Sequence, residues 1–97
     1  MRKIARKPKK LKLVAGTFSP DDAQEILLNL FSTKINFHQL KNFSSQERFG
    51  KDDSLAQKRI PQLTKSIETV KQIIAKAKSA NKKLIVVSEV NITLAPR

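Results

Sequence analysis

Ala56, Ile60, Leu63, Ile67, Val70, Ile74 and Ala77 follow one another at intervals of 4, 3, 4, 3, 4 and 3 residues. A strand repeats every two residues, so this seam is the buried stripe of a long helix, and three unbroken heptads require a second long helix along it. That second helix is encoded upstream. Ala23, Ile26, Leu27, Leu30, Phe31, Ile35, Phe37 and Leu40 recur at helical spacing. At about 100° per residue they cover more than half the circumference, and a face that wide must be covered on two sides.

The ends of both helices carry start and stop signals. Ser19-Pro20-Asp21-Asp22 places a capping hydroxyl, a proline suited to the first helical position and two acids at the positive end of the dipole. Ser54-Leu55-Ala56-Gln57 offers a capping box for the second helix, within which Pro61 predicts a kink or a later true start. Asn81 suits a left-handed cap at its end. Phe43 points away from the apolar side if the first helix continues past Leu40. The sequence therefore predicts that this helix bends or ends near Asn42, with Ser44-Ser45-Gln46-Glu47 capping a short turn that stops at Gly50. Phe43 and Phe49 would then pin the corner to the helical pair.

Both flanks alternate. Leu11 to Phe18 reads as a strand with Leu11, Leu13 and Ala15 on one side. Lys83 to Leu94 reads as a stronger one, with Leu84, Val86, Val90, Ile92 and Leu94 on one face. Ser88 interrupts that face, while Glu89 falls on the solvent side, where a lysine across the ribbon can pair with it. The order β-α-α-β makes an α+β fold: an antiparallel helical hairpin packed on a short antiparallel ribbon. A two-stranded ribbon is marginal alone, and helices of about 25 residues are roughly 37 Å long, more than it covers. A second copy remedies both faults, either by extending the ribbon to four strands or by zipping the helices into a four-helix bundle. A homodimer is accordingly expected.

At 97 residues this is one domain, residues 11–97, preceded by an arm at residues 1–10. Twenty Lys and Arg against eight Asp and Glu give +12. Seven of the cations (Arg2, Lys3, Arg6, Lys7, Lys9, Lys10 and Lys12) fall in the first twelve residues with no acid among them. Such a run repels itself and buries nothing, so the arm is expected to be disordered. It has the charge to hold phosphates, or it serves solubility alone. The second helix adds Lys58, Arg59, Lys65, Lys71, Lys76 and Lys78 off its seam against Glu68. Of these, Lys65 and Lys71 are the candidates for further backbone contacts.

Other chemistry is thinly represented. With no cysteine and one histidine, thiol catalysis, thiolate zinc sites and disulfides are excluded, and no metal site is expected. Two glycines make neither a phosphate loop nor a dinucleotide-binding turn, and no motif suggests a cofactor or a small-molecule ligand. Lys34, His38 and Lys41 share one side of the first helix, which allows a minor polar pocket with Glu47 or Arg48 on the returning corner. The plainer reading is a buried His38 satisfied by one backbone or carboxylate partner between snorkelling lysines. One imidazole beside two cations lacks the matched acid and base of catalysis, so an enzyme is not expected. No apolar run approaches the roughly 18 residues of a membrane span. The opening residues lack the apolar core of a secretory signal, which leaves the cytoplasm as the expected location. The composition thus points to a small basic binding or scaffold protein that contacts an anionic polymer, the nucleic-acid backbone, without sequence preference. The alternative is a protein-interaction or self-association module with no nucleic-acid role.

Overall fold

The computed structural model describes residues 8–96. Strand β1 (Lys9–Phe18) leads through Ser19 into helix α1 (Pro20–Phe49), which returns as helix α2 (Ser54–Ser79) and ends in strand β2 (Leu84–Ile92). The strands form a two-stranded antiparallel sheet and the helices a hairpin packed on it. β1 takes in Lys9 and Lys10, which the sequence reading counted with the arm. At these two positions the expected disorder gives way to pairing with Ile92 and Asn91, which the antiparallel β2 extends far enough to supply; the rest of the arm's cations lie outside the described residues.

Three of the four helix ends follow from the cap residues seen in the sequence. Ser19 is extended (φ −64°, ψ 158°) and its hydroxyl accepts from the Asp22 N–H at 3.2 Å, with Pro20 next and two acids in the first turn. Gly50 closes α1 in the left-handed region (φ 68°), its N–H donating to the Gln46 carbonyl. Asn81 (φ 54°) closes α2 by a Schellman arrangement: the Lys82 N–H donates to the Ala77 carbonyl and the Asn81 N–H to that of Lys78. The start of α2 differs from expectation. Asp53, not Ser54, is the cap, its carboxylate accepting from the Ala56 N–H at 2.9 Å. An ionised oxygen is the stronger acceptor at a helix's positive end.

The expected break near Asn42 is absent. α1 runs straight through to Phe49, and as a result Phe43 and Phe49 are exposed rather than pinned to the hairpin. Ser44 and Ser45 stand within α1 and cap nothing, because Gly50 supplies the single left-handed stop. Nor does Pro61 end or delay α2; it is the eighth residue of a continuous helix and faces solvent. It still gives no N–H to the Gln57 carbonyl and crowds it. Pro61→Ala should therefore stabilise the chain by about 2 kcal/mol, the helix-interior penalty of proline less what its rigidity contributes by restricting the unfolded chain. Urea denaturation measures this, and an unchanged midpoint would mean that the ring makes compensating contacts.

The seam is the packed face of α2. Ala56, Val70, Ile74 and Ala77 are buried and Ile60, Leu63 and Ile67 are half-buried. The core proper is small: Ala23, Val70, Ile74 and Val86, with Val14, Phe18, Leu27, Leu28, Phe31 and Leu84 packed around them. It occupies only the ribbon end of the hairpin. In the ribbon, β1 carries a bulge between Lys12 and Val14, so that Leu11 opposes Val90, Val14 opposes Ser88, Gly16 opposes Val86 and Phe18 opposes Leu84. The extra residue reverses the alternation. The core side of β1 is thus Leu11, Val14, Gly16 and Phe18, whereas Leu13 and Ala15, expected beside Leu11, fall on the opposite face. Lys12 stands directly across from Glu89.

The molecule is flat, 54 × 42 × 15 Å, with a radius of gyration of 17.7 Å. A compact chain of this length would have about 12.5 Å.

Candidate polar corner and basic surface

A chain of hydrogen bonds holds the turn between the helices. The Asp52 carboxylate accepts from the Gln46 amide at 2.7 Å and the Asn42 amide at 3.3 Å, and the Asn42 carbonyl oxygen in turn accepts from the Asp53 N–H at 2.7 Å. Asp53 completes the relay by capping α2. These side chains satisfy the backbone and the amides of a four-residue connection that buries almost nothing. The clasp was only half visible in the sequence. Asp52 and Asp53 stand just before Ser54, where acids suit any helix start, and Asn42 and Asp52, ten positions apart, meet only because α1 stays helical to its end.

His38 is 3% exposed, as its place in the apolar sector of α1 implies. The partner expected for it is missing, since neither ring nitrogen has a hydrogen-bond partner among the described residues. Its ring stands edge-on to Phe37 at 5.4 Å. Lys34 and Lys41 do not turn toward the imidazole; their ammonium groups lie over the Phe37 ring, 4.7 and 5.9 Å from its centre. Glu47 and Arg48 cannot complete a pocket. On an unbroken helix they stand nine and ten residues beyond His38, about 14 Å along the axis, with Glu47 on the opposite side. The five residues proposed as a polar pocket therefore do not converge. A buried unpaired imidazole is destabilising, and His38→Leu should raise the melting temperature by several degrees, corresponding to about 1 kcal/mol. A lower melting temperature would show that the ring holds an unseen polar partner.

Among the described residues the cations are spread rather than clustered. Arg2, Lys3, Arg6 and Lys7 lie outside the described residues, while Lys9, Lys10 and Lys12 are exposed along β1. Lys65 and Lys71, both exposed, are six residues apart on α2 and so about 120° round the helix; they do not share a face. Lys58, Lys65 and Lys76 do, at separations of 7 and 11, on the edge away from the seam. At the other end of the hairpin a groove of about 620 Å³ is lined by Ser19, Pro20, Asp21, Lys78, Lys82 and Lys83, among others. Asp21 and Lys78 close it with a 3.1 Å ion pair, so the start of α1 already has its anion. Among the described residues no group of three His, Cys, Asp or Glu is placed to hold a metal, and no helix is long and apolar enough to cross a membrane. Comparison with protein-family models, curated proteins and solved structures found no match.

Proposed function

We propose that this chain is a non-enzymatic cytoplasmic binding module that holds the phosphate backbone of a nucleic acid without reading its sequence. The run of seven cations from Arg2 to Lys12 carries the reading, because its last three members extend into an exposed strand and no acid interrupts it. Point charges on flexible stems suit phosphates that recur regularly along a polymer, and sequence reading would need side chains fitted to base edges. The outer edge of α2, with Lys58, Lys65 and Lys76, offers a second, weaker contact. Binding to generic duplex DNA and RNA across a salt series tests the proposal, with the four cations Arg2, Lys3, Arg6 and Lys7 intact or replaced by Gln. No binding at low salt would overturn it.

A second reading rests on a different observation. Large apolar side chains are exposed on both strands and on α1, and the surface of 8150 Å² far exceeds the roughly 5,600 Å² of a compact monomer of this mass. In this reading the functional unit is a homodimer, and the two readings are compatible, since pairing would double the number of basic arms.

A further inference from the structure

Among the described residues the ribbon has two unpaired edges, and they differ in kind. β1 carries Lys9, Lys10 and Lys12 and a bulge, the devices by which sheets keep strangers from pairing. β2 has none of them. From Leu84 to Ile92 it contains no Lys, Arg or Pro and no irregularity of its own, and alternate residues turn their N–H and C=O groups to the open side. On the face away from the helices its apolar side chains are exposed, Ile85 by 80% and Val87 by 67%.

We propose, building on the self-association reading, that the open edge of β2 binds β2 of a second copy of this chain, antiparallel across a two-fold axis at Ser88, making one four-stranded sheet.

The register follows from the sequence of the strand. Centring the axis on the fifth of its nine residues sets Val86 against Val90 of the second copy and Leu84 against Ile92 of the second copy, all on the core side. Ser88 then meets its own symmetry mate, and two hydroxyls side by side can bond to each other. This gives a place to the one polar residue on the apolar face. On the other face Val87 lies opposite Glu89 of the second copy, while Glu89 keeps Lys12 as its neighbour within the chain.

Packing above the sheet points the same way. Each hairpin covers only one end of its own ribbon: Val86 is 8% exposed, but Leu11, Val90 and Ile92 on the same face are 50%, 38% and 51% exposed. A two-fold axis perpendicular to the sheet puts both hairpins on one side and brings the bare half of each ribbon beside the covered half of the other. A stable interface buries roughly 800 Å² per partner, and the β2 edge together with the half-exposed Leu11, Val90 and Ile92 beside it supplies a continuous apolar surface for one. The apolar side of α1 is the weaker competitor, because Lys34 and Lys41 already lie over Phe37.

Val87 gives a test by charge. Val87→Glu would set a carboxylate directly against Glu89 of the second copy, twice over by symmetry, whereas Val87→Lys would set an ammonium there. Sedimentation equilibrium of the full chain should give twice the 11.0 kDa monomer mass. Val87→Glu should weaken dimerisation by about tenfold or more, and Val87→Lys should leave it as tight or tighter. Because Val87 is exposed in the single chain, circular dichroism of both variants should match the parent. A parent that stays monomeric overturns the self-association reading and this proposal with it. A dimer indifferent to Val87→Glu keeps the former and overturns the β2 edge, and equal weakening by both variants overturns the register.

Discussion

Ile74→Asp is expected to unfold the protein. Ile74 is 3% exposed and touches the small cluster on which both helices and the ribbon converge. Deleting its side chain alone would cost about 2–5 kcal/mol, and leaving an unpaired carboxylate in that cluster adds a desolvation penalty of similar size. A domain of this size has about 5–15 kcal/mol in all, and a central cluster of only four buried apolar residues places this one at the low end. The neighbouring substitution is the control. Ile73 is also isoleucine but lies 100° round the helix and is 48% exposed. Ile73→Asp should leave the helical circular dichroism intact, with a shift of about 1 kcal/mol or less. If both variants melted alike, α2 would not be packing along its heptad seam.

The same contrast explains which parts of the fold the sequence announced. A heptad seam is redundant: seven positions state one face, and no single exception can move it. Cap residues are local and chemically specific, so Ser19, Gly50 and Asn81 could be placed without knowing the partner element. The errors arose where one residue decided between two continuations. Phe43 on the wrong side argued for a break in α1, but helix continuity outweighs the exposure of one ring, because ending α1 near Asn42 would forfeit the intrahelical hydrogen bonds of the residues from Phe43 to Phe49. The bulge in β1 is likewise invisible to a period-two pattern, since Leu13 and Val14 are equally apolar; only pairing with β2 reveals which of them faces the helices.

At the corner, the site was legible as a cluster of polar residues but not as a mechanism. His38 was correctly placed inside, because burial follows from helical phase. Its hydrogen bonds do not follow from phase, and the lysines flanking it in sequence turned out to cover Phe37 instead. Asn42, Gln46, Asp52 and Asp53, whose bonds close the hairpin, are separated by distances in sequence that no motif links. Their clasp gives the corner a structural reason for its polarity, which lowers the need for a ligand there and moves the weight of the functional argument to the charged arm.

For that arm the expected result is a steep salt dependence. If about five of the seven cations between Arg2 and Lys12 each neutralise a phosphate, log K should fall against log salt with a slope of about −4.5 on duplex DNA. Raising salt from about 50 to about 200 mM would then weaken binding roughly 500-fold, with dissociation constants in the micromolar range between. Replacing Arg2, Lys3, Arg6 and Lys7 by Gln leaves only the three lysines of β1, one of which faces Glu89 across the ribbon. The slope should drop to between about −1 and −2, with little change in the melting temperature because, among the described residues, the strands and helices span residues 9–92. Sequence preference should be absent before and after. A slope unchanged by the four replacements would mean that the arm is a bystander and that the outer edge of α2 makes the contacts. In that event Lys58, Lys65 and Lys76, which share a helix face, should act together when reversed to Glu, while Lys71→Glu, on another side of the helix, should have the smaller effect.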